Sequence, residues 1–349
     1  MAGSLISSTG LIVQRDKLRK PRLRVMSEIK EVQIKMEAEQ DFSRASISSN
    51  EVRHAALVIA HAILNPYRFI GEKYQNPVEY YPSANFGYID APASVLDLHG
   101  KIMVWYLPGV MTHTRVECLN ELHLSLEGHL ITKAKSKVNK RYGHKHAPVA
   151  DPKFGHGRIS ISPATFMQAH QRLEDSLYES QSLKKPRIRQ WLLDIGYIQE
   201  FWNSITWTVL PDMAKVGQDA LAASHIQVTV KNPIKWPSIY SAVNIIINQE
   251  TPPHLDGTAA PSLLDLVVSL GSHDAVFQIL DLGVVLAYPP GTMIFLAGKI
   301  LEHHVPKWGK GERIALAHYM KDAVHNRSQV EWPPFARQKD ILGQFVELV

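Results

Sequence analysis

Cysteine is nearly absent: the 349 residues hold one, Cys118. A lone thiol excludes an internal disulfide framework and fits a reducing compartment. Long apolar runs are absent too. The most apolar stretch, Ala55 to Leu64, is interrupted by His61 and falls far short of the roughly 20 residues a spanning helix needs. No basic-then-apolar leader opens the chain, so the expectation is a soluble intracellular protein with no membrane partner. Acid is in deficit: 38 Lys and Arg face 33 Asp and Glu, for a net charge of +5 and a pI near 9.1. That balance favours polyanions over acidic partners. What remains is an ordinary globular mixture, 45% hydrophobic and 20% charged, which supports a large core and excludes wholesale disorder. No internal repeat is visible.

Along the chain, residues 1–50 are poor in aromatics and carry Arg15, Lys17, Arg19, Lys20, Arg22 and Arg24 close together. Such a segment lacks apolar surface to offset its ordering entropy, and it is expected to be a mobile tail. It serves either as a solvated leader or as a nuclear-import or nucleic-acid arm, and a nuclear location is the expectation. Residues 51–225 read as a mainly helical flanking region. Helical spacing runs from Glu51 to Asn65 until Pro66 stops it, and it recurs over Glu117 to Lys133, Pro163 to Ser180 and Pro186 to Lys215. Lys101 to Leu107 reads as a strand closed by Pro108-Gly109. A basic loop near 133–158 gathers Lys133, Lys135, Lys137, Lys140, Arg141 and Lys145 without an acid up to Lys145. A solvated surface explains any charge run, but Tyr142 among the cations adds a face that nucleic-acid contact would use. His144 and His146 lack further spaced ligands for a metal. Trp191, Phe201, Trp202 and Trp207 are expected in the core. Residues 226–330 switch to short β-branched runs broken by Gly and Pro, the texture of a strand-rich core. Residues 331–349 form a C-terminal extension.

The chemistry gathers in that core. After the strand-like Ile239 to Asn248 and a break at Gln249 to Pro253 come His254 and Asp256. On an extended segment, side chains two apart share a side and can share a cation. With 17 histidines in the chain such a pair arises by chance, so alone it carries little weight. Its continuation carries more. Strand-like pieces follow at Leu263 to Leu270, Ala275 to Leu280, Val284 to Tyr288 and Thr292 to Ala297, then His303, then Arg313 opening the apolar run Ile314 to Tyr319. A double-stranded β-helix needs this layout, with His-x-Asp at one strand end and a second His returned by a later strand. Two histidines and one carboxylate leave three open positions on Fe(II), enough for a keto acid and O2. The far carboxylate of 2-oxoglutarate then needs a fixed cation, and an arginine fork supplies one. Any one of these residues alone reads equally well as a surface histidine or a salt-bridge partner. His304, His318 and His325 compete for the distal place, with a structural role favoured for His318.

The strings SAVNIIINQETPPHLDG and LAYPPGTMIFLAGKILEHHVPKWGKGERIALAHYMKDAVHNR resemble the TET/JBP family of Fe(II)/2-oxoglutarate dioxygenases, in particular its basidiomycete fungal branch. The likeness spans Trp236 to Arg327 and reaches back more weakly through WYLPG and SPATFMQAH. It implies an α+β fold: a double-stranded β-helix (jelly-roll, cupin-like) core with flanking helices. It also implies His254, Asp256 and His303 as catalytic metal ligands and Arg313 as the 2-oxoglutarate clamp. Tyr319, six positions after the arginine, matches the aromatic that stacks on a flipped base. Two positions depart from the pattern. Ala259 stands where relatives that oxidise 5-methylcytosine have a polar base contact, and Lys321 replaces a histidine, leaving a substrate-binding lysine at that place.

The function so implied is hydroxylation of a methyl group on a nucleobase, coupled to oxidative decarboxylation of 2-oxoglutarate with Fe(II) and O2. The base expected is 5-methylcytosine in DNA, a demethylation chemistry, with 6-methyladenine as the second choice and DNA favoured over RNA. Because a duplex hides that methyl, the base would be flipped. The alternatives are a dioxygenase of a small metabolite or protein side chain, and a nucleic-acid-binding descendant without turnover.

Overall fold

The computed structural model describes residues 11–13, 19–38, 46–69, 87–132, 145–167, 172, 174–225, 234–257 and 260–346. Its architecture is mixed α+β, built on two sheets. The larger has nine strands: β1 (Leu11–Val13), β2 (Pro66–Phe69), β4 (Ala93–Leu96), β5 (Ile102–Leu107), β6 (Gly157–Ile161), β7 (Ala242–Ile247), β9 (Asp265–Gly271), β12 (Met293–Leu296) and β14 (Arg313–Tyr319), in the order β1-β2-β4-β5-β12-β9-β14-β7-β6. The smaller has five: β3 (Gly87–Ile89), β8 (Thr251–His254), β10 (Val276–Ile279), β11 (Val284–Ala287) and β13 (His303–Val305), in the order β3-β11-β10-β13-β8. From β7 onward the chain passes back and forth between the sheets: β7, β9, β12 and β14 enter the larger, and β8, the antiparallel pair β10–β11, and β13 the smaller.

Helices cover the larger sheet. Helix α2 (Ser49–Ile63) starts at a capping box in which Ser48 Oγ accepts from Glu51 N at 3.2 Å and Glu51 Oε2 accepts from Ser48 N at 2.9 Å. The same Glu51 forms a buried fork with Arg115 on α3 (His113–Leu124), with Nε–Oε1 at 2.8 Å and Nη2–Oε2 at 2.9 Å. One carboxylate thus caps α2 and ties it to α3. The expected helix over Pro186 to Lys215 is three: α4 (Pro186–Asp194), α5 (Gly196–Val209) and α6 (Pro211–His225). They bury Trp191, Phe201 and Trp202 as expected, while Trp207 is exposed. Helices α7 (Asp322–Ser328) and α8 (Gln338–Val346) follow the last strand.

Several expectations change. The stretch expected as a mobile tail contains helix α1 (Arg19–Ala38), which buries Val32 and whose Arg22 Nη1 donates to Asn65 Oδ1 at 2.7 Å. Its Lys- and Arg-rich composition is strongly helix-forming once one face finds α2. Residues 51–225 carry the helices α2 to α6, and they also supply strands: β2, β4, β5 and β6 join the larger sheet and β3 the smaller, so both sheets draw on residues before 226. Pro163 to Ser180 is not helical where described; Thr165 pairs with Tyr178 in a β-bridge. Residues 133–144 of the basic loop, residues 14–18 of the basic tail, and Ala259 lie outside the described residues. No described helix is long and apolar enough to cross a membrane.

Candidate metal centre and its cavity

Strands β8 and β13 pair antiparallel with His254 directly opposite His303. Residues opposite each other across two strands project from one face, and the two rings meet with centroids 4.3 Å apart. Each ring fixes its own tautomer: Nδ1 lies 2.9 Å from the carbonyl two residues back, Pro252 O for His254 and Leu301 O for His303. A carbonyl can only accept, so each Nδ1 carries the proton and each Nε2 keeps a free lone pair. Asp256 completes the set, with Oδ1 3.7 Å from His254 Nε2 and Oδ2 3.5 Å from His303 Nε2. The three ligand atoms lie within 4.8 Å of one another, a grouping that could hold a metal ion. Two imine nitrogens and a carboxylate on one side suit a first-row divalent cation. Burial, with His254 adding to it and Asp256 opposing, pushes the His303 pKa below its ordinary value, which keeps that ring unprotonated and available to a metal.

Asp256 is placed by Gly298, whose carbonyl accepts from Asp256 N at 2.8 Å. A methyl group added at Gly298 would collide with Asp256 Oδ2 and would stand 2.8 Å from Asp265 Oδ2. Asp265, on β9, is buried with neither carboxylate oxygen hydrogen-bonded. Burial first, and the Asp256 charge second, raise its pKa well above the usual carboxylate range.

Arg313 is 2% exposed. Its Nη1 donates to Gln249 O at 2.7 Å and contacts Thr251 Oγ1 at 3.3 Å, and its guanidinium stands 6.0 Å from the Tyr288 ring centroid. Its Nε has no partner, and no carboxylate pairs with it among the described residues. Burial pushes its pKa below the ordinary value. Asn248, at φ 49°, sets the arginine's strand: its Oδ1 accepts from Arg313 N at 3.0 Å and its Nδ2 donates to Glu312 Oε1 at 2.9 Å. A left-handed backbone at a non-glycine residue favours Asn, whose short amide bonds locally.

His254, Asp256, His303 and Arg313 line one cavity of about 260 Å³, which Tyr319 also lines. Arg313, Ala315, Ala317 and Tyr319 alternate along β14 on the cavity side. Tyr319 is therefore brought into the site, with its hydroxyl 3.4 Å from Asn244 Oδ1. Lys321 is not among the cavity residues: its Nζ donates to Thr165 Oγ1 at 3.1 Å, and burial lowers its pKa to about 8. Beyond Tyr319 the chain leaves β14 and begins α7, which takes Lys321 off the inward alternation.

The competing histidines separate. His304 lines the cavity but gives its Nε2 to Gln278 Oε1 at 2.6 Å. His318 faces α5, with Nε2 2.9 Å from Gln199 Oε1, which fits the structural role expected for it. His325 bonds Val330 O at 2.8 Å and stacks on Trp332. Sequence reasoning missed Asp265, Gly298, Asn244, Ser160 and Arg158. Asp265 alone left a trace, as an acid heading an otherwise apolar strand.

No protein-family model matches the chain, and no curated protein does. Among solved structures, NgTET1 in complex with 5mC DNA is similar to it, at 15% sequence identity and a TM-score of 0.48, over 76% of this chain and 89% of that one.

Proposed function

We propose that the protein is an Fe(II)- and 2-oxoglutarate-dependent dioxygenase that hydroxylates the methyl group of a nucleobase, with 5-methylcytosine in DNA as the base. The observation that carries this reading is the shared cavity: a two-histidine, one-carboxylate face and a buried arginine with no acidic partner among the described residues open onto the same space. A buried cation without a counter-ion is costly, and a dicarboxylate ligand is the partner that would remove the cost. The passage of β7 through β14 back and forth between two sheets, with β10 and β11 paired in the smaller, supports a double-stranded β-helix, whose facing strands carry such a site. The resemblance of the surrounding strings to the TET/JBP family supports the nucleobase and the flipped geometry.

In this reading His254, Asp256 and His303 hold the metal, and Arg313 fixes the distal carboxylate of 2-oxoglutarate. The bound metal and keto acid supply O2 activation for C–H hydroxylation. The chain's own residues do the rest. The Nδ1 contacts to Pro252 and Leu301 hold both imidazoles in the ligating tautomer. Gly298 leaves room for the Asp256 carboxylate. Ala315 and Ala317 keep the floor between Arg313 and Tyr319 clear, and Tyr319 offers a ring at the substrate end on which a base can stack.

The test is succinate formation from 2-oxoglutarate by purified protein with Fe(II), followed by mass spectrometry of nucleosides from methylated DNA and RNA. Succinate together with a hydroxymethylated base is the expected result. Succinate without base oxidation would point to a small metabolite or protein side chain. Absence of metal binding and of succinate would leave a binding protein and overturn the reading.

A further inference from the structure

Thr251 stands on the metal side of β8 because that strand carries one extra residue against its partner. On a regular strand, residues an odd number apart face opposite sides, so Thr251 and His254 would be turned away from each other. The pairing register prevents this. His254 pairs with His303 and Thr251 with Val305, three steps on β8 against two on β13, with a bulge-like shift between the pairs. His303 and Val305, two apart, share a side of β13, and the shift turns Thr251 to that same side. All four residues line the cavity. One short strand thus ends on a metal-ligand candidate and begins on a hydroxyl beside Arg313.

Arg313 reaches that hydroxyl with Nη1 at 3.3 Å, and the same nitrogen donates to Gln249 O at 2.7 Å. A guanidinium nitrogen only donates, so Thr251 Oγ1 is the acceptor and its own hydrogen points elsewhere. Among the described residues that hydrogen meets no acceptor, because the contact with Arg313 is the hydrogen bond the Thr251 side chain makes. The space it can turn to is the cavity, which Thr251 lines.

The arginine alone does not satisfy a carboxylate. A guanidinium grips both oxygens through its Nη1–Nη2 edge or its Nε–Nη2 edge. Here Nη1 is committed to Gln249 O and Thr251 Oγ1, which takes up both its hydrogens, and Nε is enclosed. Each edge has lost one member. The next inward residue on β14 is Ala315, which offers only a methyl group. A donor for the second oxygen comes instead from β8.

We propose that Thr251 is a cosubstrate-binding residue: its hydroxyl accepts from Arg313 and donates to the distal carboxylate of 2-oxoglutarate, selecting a dicarboxylic over a monocarboxylic keto acid. This rests on the dioxygenase reading and deepens it, because it names a second donor of the clamp. Strand β8 then sets the spacing of the site, with His254 at the metal end and Thr251 at the distal end.

The test is calorimetry on the full chain loaded with Mn(II), titrated with 2-oxoglutarate and with 2-oxopentanoate, a keto acid of the same chain length without the distal carboxylate. Thr251→Val removes the hydroxyl and keeps the branched shape; Thr251→Ser keeps the hydroxyl. From the usual strength of a hydrogen bond to a charged group, Thr251→Val should weaken 2-oxoglutarate binding about tenfold or more, with 2-oxopentanoate and Mn(II) affinities kept within about twofold. Thr251→Ser should recover most of the loss. Because Arg313 also touches Thr251, the comparison is repeated in an Arg313→Lys background, where Thr251→Val should cost a further severalfold. No further loss there would mean that Thr251 acts only by holding Arg313, and it overturns the proposal. An unchanged 2-oxoglutarate affinity in Thr251→Val overturns it too. So does equal weakening of both keto acids or of Mn(II), which would make the side chain a support of β8. A wild type that binds Mn(II) but not 2-oxoglutarate brings down the dioxygenase reading itself, and the proposal with it.

Discussion

His254 and His303 stand opposite each other on β8 and β13, each with Nδ1 turned to the carbonyl two residues behind it. The pairing places two imine nitrogens on one face before any metal arrives. Metal affinity should therefore depend on both rings and on neither neighbour. His303→Ala should weaken Mn(II) binding, read by calorimetry, by more than the roughly 10–100-fold typical of residues that only support a ligand. His304→Ala should leave it within a few-fold, because His304 is committed to Gln278. Tight binding by His303→Ala with loss in His304→Ala would reverse the assignment.

Gly298 gives a second prediction. An added methyl group must displace the Asp256 carboxylate or the Asp265 carboxyl packed beside it. Gly298→Ala should lower Mn(II) affinity at least tenfold with little loss of thermal stability in the metal-free protein. An unchanged affinity would show that Asp256 can bind from another rotamer.

Much of this site was legible in the sequence, and the reason is the strand period. His-x-Asp sits two apart, and Arg313 and Tyr319 lie an even number apart on one strand, so same-side placement follows from geometry alone. Strand β8 was not legible, because Pro252 and Pro253 read as a break. Pro is tolerated there since β8 is an edge strand whose outward side needs no donors. Lys321 was misplaced because the inward alternation ends with β14. Ser160, Asn244 and Arg158 escaped notice because cross-strand rows join residues far apart in sequence, and no local pattern marks them. The α1 segment was misjudged on charge: a basic helix with one apolar contact face reads like a solvated tail until its partner is known.

Arg313 should respond to a change of shape at constant charge. Arg313→Lys keeps the cation but loses the planar fork, so the KM for 2-oxoglutarate should rise about tenfold or more while metal affinity is kept. Arg327, partly buried and away from the cavity, serves as the control. An unaltered KM in Arg313→Lys would remove the clamp role.

Tyr319 separates ring from hydroxyl. A base stacked on the ring gains roughly 1–3 kcal/mol, so Tyr319→Ala should lower base oxidation relative to uncoupled succinate formation about tenfold or more. Tyr319→Phe keeps the ring but releases Asn244 Oδ1 from one hydroxyl. It should lose less than Tyr319→Ala and should relax the choice among bases. Equal losses in both variants would mean that the hydroxyl, not the ring, carries the contact.

Acid should unfold the protein early, and the cause lies outside the metal site. His123, His273 and His318 are buried, and burial lowers their pKa values from 6.5 to about 4, about 3 and about 3. Above pH 6.5 these rings are neutral whether the chain is folded or unfolded, so they add no pH dependence. Below pH 6.5 the unfolded chain takes up protons that the folded chain refuses, and stability falls with falling pH until the folded rings protonate near pH 3–4. Each histidine contributes on the order of 1.4 kcal/mol per pH unit inside that window. The measurement is the urea midpoint between pH 7.5 and 5, taken in EDTA because bound metal would add its own proton linkage. His318 keeps Nε2 on Gln199 and leaves Nδ1 unpartnered beside Trp202 and Tyr240, so its imidazolium has no counter-charge to meet. His318→Gln should make the slope below pH 6.5 shallower by about one proton, at some cost in stability at pH 7.5. A slope equal to that of the wild type would show that His318 takes up its proton in the folded state as readily as in the unfolded one.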